Sequence, residues 1–164
     1  MNNFLENVVM RGFWNDWIER FKYNAGDYIT PDNERVISAV DEVDVSGADS
    51  DVEKAHRVWG FITHEIEYKL SKEWKEPEET LRDKIGDCED MDFLAISMLE
   101  NMGIDDANLV VGNLSKPSGG GGAHAWVSVD GAVIDPTGRP ETVKDLEYQE
   151  VHTFQIETVV ANGS

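Results

Sequence analysis

Between Ala123 and Asp135 two short apolar runs, Ala123-His124-Ala125-Trp126-Val127-Ser128-Val129 and Ala132-Val133-Ile134-Asp135, are joined by Asp130-Gly131. Strand, Asp-Gly, strand is the strongest short-range hairpin signal, because a two-residue turn needs a positive φ at both central positions. The turn fixes the register. Val129 lies opposite Ala132, Trp126 opposite Asp135 and His124 opposite Thr137. His124 and Asp135 become diagonal neighbours on one face, within about 7–8 Å at the backbone, so a carboxylate can orient an imidazole. The other face carries Ala125, Val127, Val129, Ala132 and Ile134, enough apolar surface to pack the sheet on a helical layer.

A helix beginning at Asp87 is the partner for that face. Met91, Leu94, Ala95, Met98, Leu99 and Met102 recur at helical spacing, and Phe93 and Ile96 add apolar surface on another side, so this helix is expected to be central and buried. Gly103 followed by Ile104 gives its C-terminal stop. Cys88, the only cysteine, sits in its first turn. There the helix dipole and free amides favour thiolate, and the Cys88 amide can donate to an oxyanion. Asp87, Glu89 and Asp90 pull the other way, since nearby negative charge disfavours a thiolate. The imidazolium of His124 is expected to win only if those carboxylates point away.

Around this pair of elements, residues 4 to 22 carry Leu5, Val8, Val9, Phe13, Trp17 and Phe21 at helical spacing, and residues 24 to 32 read as a loop. Residues 35 to 45 fit helix or strand. A second helix is expected from about Asp51 to Leu70, and Pro77 suits the first turn of a short turn or helix. Asn108 to Val111 looks like a strand, Leu114 to Gly122 like a mobile loop because of Pro117 and four consecutive glycines, and Val151 to Val160 like a third strand.

A chain of 164 residues with 40% hydrophobic residues is long enough for one cored domain. The formal charge of −19, from 33 acidic against 14 basic residues, repels phosphate backbones and anionic bilayers, so neither nucleic acid nor membrane is an expected partner. Molar salt screens such self-repulsion within about 3 Å, which suggests a high-salt cytoplasm, that of a haloarchaeon or of a virus infecting one. No secretion signal and no run of about 18 apolar residues is present, so the expected location is cytoplasmic, or a virion. The lone cysteine excludes an internal disulfide and a multi-cysteine metal site. His56, His64 and His152 show no metal-ligand spacing.

Three motifs then carry a family resemblance. Gly86-Asp87-Cys88-Glu89-Asp90, preceded by Trp74, Pro77, Glu79, Thr80 and Leu81 and followed by Leu94, Leu99 and Gly103-Ile104, resembles the cysteine motif of transglutaminase-like domains. His124-Ala125-Trp126-Val127 and Asp135-Pro136-Thr137 resemble their histidine and aspartate motifs, in the same order. The resemblance covers roughly residues 52 to 140. It is similar in particular to the microbial transglutaminase-like cysteine proteases and their archaeal relatives.

The resemblance implies an α+β, papain-like fold with a nucleophile-bearing helix packed on an antiparallel sheet. The whole of 1–164 is expected to form one domain, residues 1–50 a helical extension and 51–160 the catalytic core. Cys88, His124 and Asp135 are implied as the catalytic residues of thiol acyl transfer on amide bonds of a protein or peptide. Water as acceptor gives a peptidase, towards which the resemblance leans, and an amine a transglutaminase. A second donor to the oxyanion is implied from an aromatic or amide side chain upstream, with Trp74 as candidate ahead of Trp59. No cofactor is required, but some resembling bacterial proteases bind calcium through acids beside the cysteine, which makes Asp87, Glu89 and Asp90 candidate ligands beside their simpler role as helix cap. The competing expectation is a catalytically silent interaction or assembly module, for example in a virus particle, with an assembly partner.

Overall fold

The computed structural model describes the backbone of residues 3–139 and 143–163, and side chains within 12–139, 143–157, 159 and 160. The expected N-terminal helix is α1, Asn3–Asn24; Leu5, Val8 and Val9 lie outside the described side chains, but Phe21 is fully buried. A 3₁₀ turn, Ala25–Tyr28, occupies the expected loop. The undecided segment is helical: α2, Glu34–Glu42, starts where the Asn33 side chain accepts from the Arg35 and Val36 amides.

Helix α3, Asp51–Glu65, is capped by Ser50. It ends five residues before the sequence pattern suggests, because Glu67–Tyr68 forms a strand, β1. After α4, Pro77–Asp83, β1 pairs in parallel with β2, Ile85–Gly86, placing Tyr68 beside Gly86. The backbone groups that a longer α3 would satisfy internally are met instead by Lys84 and Gly86, whose carbonyls accept from Glu67 and Lys69 at 2.9 Å.

Helix α5, Cys88–Asn101, is buried continuously from Asp90 to Leu99. It stops as expected: Gly103 takes φ 83°, the Ile104 amide donates to the Leu99 carbonyl at 3.0 Å, and Ile104 is buried. Helices α2, α3 and α4 flank α5.

The sheet on its other side consists of β3, Ala107–Ser115, β4, Gly121–Val129, β5, Ala132–Ile134, and β6, Glu147–Gln155, in the order β5-β4-β3-β6, all antiparallel. Asp130 and Gly131 have φ 49° and 81°, and the register is the expected one, Val129 opposite Ala132 and Val127 opposite Ile134. Leu109, Val111, Ala125 and Val127 form the fully buried core face.

Two expectations about this sheet are corrected. The segment from Leu114 to Gly122 is not all loop, since the β3–β4 ladder extends to Ser115 opposite Gly121 and only 116–120 turns. Glycine permits this: Gly121 has φ 126°, and a Cβ there would lie 1.8 Å from the Leu114 carbonyl oxygen. The third strand also starts earlier and ends at Gln155, where its neighbour β3 runs out at Asn108. The chain continues as α6, Ile156–Gly163, which buries Ile156 and Val159 against α1 and the 3₁₀ turn. Along β6 the register skips Val151, with Val111 opposite His152 and Gly112 opposite Glu150.

Candidate active site

The hairpin and α5 meet where β5 ends. In a two-residue hairpin the residues flanking the turn bond each other, so Val129, Val127 and Ala125 direct their amides towards β5. Strand β5 pairs only as far as Ile134 opposite Val127. The Ala125 amide is therefore left without a strand partner on that side, and it faces the Cys88 sulfur, where it favours the thiolate.

Next to Ala125, His124 holds Asp135. His124 Nε2 and Asp135 Oδ2 are 2.9 Å apart, the imidazole is 14% exposed and the carboxylate 2%. Asp135 is the first residue after β5, and its carboxylate is held on all sides: Thr137 donates through Oγ1 to Oδ1 at 2.8 Å, and Tyr148 donates its phenol proton to Oδ2 at 2.7 Å. Burial pushes the Asp135 carboxyl up, but His124, Tyr148 and Thr137 outweigh it and hold the group below the usual carboxylate range. With Nε2 bonded to Asp135, Nδ1 is the ring nitrogen left for another partner.

The thiol side carries the charge conflict that the sequence announces. Asp87 and Asp90 form a capping box: the Asp87 carboxylate accepts from the Asp90 amide and Asp90 from the Asp87 amide, both at 3.2 Å, while the other Asp90 oxygen accepts from the Lys75 amide at 2.8 Å. Both carboxylates are turned onto backbone. Glu89 is not: its Oε2 accepts from the Cys88 thiol at 3.3 Å. Burial, then the charges of Glu89 and Asp92, push the thiol well above its ordinary value. The expectation that the flanking acids point away holds for Asp87 and Asp90 and fails for Glu89.

The calcium candidates Asp87, Glu89 and Asp90 are not gathered into one cluster in this structure. Hard cations need several convergent oxygens, whereas the Asp90 oxygens are used by backbone amides and Glu89 by the thiol, and among the described residues no group of three or more His, Cys, Asp or Glu converges on one point.

Trp74 is placed elsewhere. Its ring packs on Phe21 and Phe93 at 5.0 Å each, with the Arg20 guanidinium 4.1 Å above it. Phe93 lies about 140° around α5 from Cys88, and the Trp74 ring packs in that aromatic cluster. Trp59 is buried, and its indole donates to the Gly138 carbonyl, pinning the loop after Asp135. The aromatic residue that does stand near Cys88 is Tyr68, half exposed beside Gly86. Partial burial, then the charges of Cys88, Asp87, Glu89 and Asp135, push its phenol up to about 12, so it remains a proton donor at neutral pH.

Two further site residues were not foreseen. Tyr148 reaches Asp135 only through the pairing of β6 with β3, Tyr148 opposite Leu114 and Gly112 opposite His124, and nothing near it in the sequence signals that partnership. Asp92 lies one turn after Cys88 on the same face of α5, fully buried, with neither carboxylate oxygen hydrogen-bonded. Burial, then the charges of Asp135, Glu89, Asp87 and Asp90, raise it well above the usual carboxylate range.

The sequence model of the transglutaminase-like superfamily matches residues 38–133, more than half of the chain. No curated protein sequence matches it. Among solved structures it is similar to a protein from Cytophaga hutchinsonii described as a candidate cysteine protease, with a TM-score of 0.58 at 19% identity; the match covers 90% of this chain and 50% of that one. This chain thus spans half the length of the Cytophaga protein. LapG of Legionella pneumophila is similar in its calcium-bound and EGTA-treated forms, each with a TM-score of 0.54 at 19% identity over 73% of this chain, and 72% and 70% of LapG respectively. At that identity the shared property is the fold.

Proposed function

The chain belongs to the transglutaminase-like superfamily, and from that premise we propose that it is a cysteine-dependent acyl-transfer enzyme, a peptidase or amidase acting on protein or peptide substrates. The observation that carries this reading is the buried His124–Asp135 pair at 2.9 Å on a strand whose next amide, that of Ala125, faces the Cys88 sulfur. The Cytophaga neighbour's description as a candidate cysteine protease supports it at the level of chemistry.

Cys88 enters the reaction as a thiol, because burial and Glu89 hold its proton. His124 takes that proton through Nδ1 as the sulfur attacks the amide carbonyl, and Asp135 fixes the ring and stabilises the imidazolium. The carbonyl oxygen gains negative charge and is met by amides at the α5 N-terminus. His124 then protonates the leaving amine, and the thioester is resolved by a water molecule that the same imidazole deprotonates. Residues 1–50 act with 51–160 as one unit, in keeping with Phe21, Ala25 and Val36 buried in the common core.

The Glu89–Cys88 hydrogen bond favours a second reading, a silent interaction or assembly module whose thiol stays protonated. The two separate on the alkylation rate of Cys88 against pH, compared with His124→Ala. An enzyme shows an alkylation rate that the variant lowers, because His124 takes the proton that burial and Glu89 hold on Cys88; a curve that ignores the variant at every pH leaves the module.

A further inference from the structure

A cleft of about 310 Å³ lies between α1 and the end of β6, and none of Cys88, His124 or Asp135 lines it. The register of β6 builds one side. His152 pairs with Val111 and Phe154 with Leu109, which sets both on the core face of the sheet, and their rings meet edge to face at 4.5 Å. Phe154 and, from α6, Val159 are buried and give the cleft an apolar floor. Ile18 and Lys22, four residues apart and so on one face of α1, line the other side.

Its charge runs against that of the chain. With 33 acidic against 14 basic residues, carboxylates line two other cavities, Glu42 and Glu65 beside Arg35 in one and Glu67 beside Arg139 in the other. No carboxylate lines this one, where the ionisable side chains are Lys22 and His152. Neither has an ion pair among the described residues, and the Lys22 ammonium lies 5.3 Å from the centre of the Tyr23 ring. The Glu150 carboxylate accepts from the Thr153 hydroxyl, and those two residues pair with Gly112 and Val110, on the opposite face of β6 from His152 and Phe154.

An ammonium and an imidazole N–H without anionic partners suit a carboxylate, which accepts charge-assisted hydrogen bonds from both. A hydrocarbon chain on the same molecule leaves water against the floor. The lining covers one turn of α1 and four residues of β6, about 10 Å at the strand rise, and the volume stands at the lower end of small-molecule sites, which begin at about 300 Å³. That is room for a short chain and not for an extended polypeptide.

We propose that this cleft binds a small amphiphilic carboxylate, its hydrocarbon chain on Phe154 and Val159 and its anionic head held by Lys22 and His152. The site goes beyond the acyl-transfer reading and does not depend on it.

The test titrates the full-length chain with octanoate and with octylammonium, which share a chain and differ in charge, and follows the Ile18 and Val159 methyl and His152 ring signals by NMR. The net charge of −19 attracts octylammonium, so bulk electrostatics favour the order opposite to the one proposed. Octanoate should bind one to one, shift those signals, and bind about tenfold or more tightly than octylammonium. Lys22→Glu, a change at an exposed residue, should weaken octanoate by about tenfold or more. No octanoate binding, shifts confined to other residues, equal or tighter binding of octylammonium, or an octanoate affinity untouched by Lys22→Glu each overturn the site. A leucine-terminated tripeptide that binds more tightly than octanoate overturns the free acid as its ligand in favour of a polypeptide C-terminus.

Discussion

Tyr148 and His124 approach the same oxygen of Asp135, at 2.7 and 2.9 Å, from different strands. The aspartate is thereby kept ionised in a site from which water is nearly excluded, and the loss of either neighbour changes its protonation.

Tyr148→Phe removes a hydrogen bond to a buried charge and should cost about 1.5–3 kcal/mol in urea unfolding. The sign of its pH dependence follows from the lowered Asp135 value. A depressed carboxyl contributes stability above its unfolded value of about 3.9 and loses it as pH falls through the folded value. Without Tyr148 the folded value rises, so the acid loss of stability should begin at higher pH than in the wild type. Coincident acid limbs would show that the phenol does not help hold the charge.

Asp92 has the opposite sign. Its raised folded value means that the native state keeps a proton the unfolded chain releases, so stability is full below about pH 4 and falls as pH rises towards the folded value. Asp92→Asn cannot titrate. Relative to wild type it should gain stability as pH rises from 4 to 8, read from denaturant midpoints at both pH values. A constant difference across that range rejects a raised Asp92 value.

Glu89→Gln removes the charge that most directly opposes the thiolate after burial. The Cys88 value should fall, and iodoacetamide alkylation at pH 7 should accelerate several-fold, up to about tenfold per pKa unit. An unchanged rate would show that burial alone holds the proton.

Gly112 faces His124 across the ladder, and a Cβ there would lie 2.1 Å from the Gln149 carbonyl oxygen and 2.7 Å from the Trp126 ring. Gly112→Ala should therefore cost about 2 kcal/mol or more as β6 is displaced, with Tyr148 drawn off Asp135. A variant with wild-type stability and a wild-type acid limb contradicts this placement.

The net charge of −19 predicts that stability rises between low and molar KCl, as screening suppresses repulsion among the 33 acidic residues. Flat melting temperatures across that range remove the case for a high-salt origin.

What the sequence made legible was local. The Asp130-Gly131 turn sets its register by two positive φ values, and the Asp87 cap and Gly103 stop bound α5 through chemistry within a few residues. The core face of β4 followed from the same count. What escaped depends on partners distant in the chain. Tyr148 meets Asp135 through a third strand, α3 yields to a strand because Ile85 and Gly86 arrive beside it, and Trp74 joins an aromatic cluster that needs Phe21 from the first helix. The direction of Glu89 is a rotamer choice, to which motif spacing is blind.

The residue skipped in β6 has a consequence for how much one strand can do. Phe154 lies six positions after Tyr148, an even number, and in a regular strand both would point the same way. The extra Val151 reverses the alternation, so that Tyr148 pairs with Leu114 on the histidine's side while Phe154 pairs with Leu109 and fills the interior. A relative lacking that one residue could keep the aspartate's phenol or the interior phenylalanine, not both.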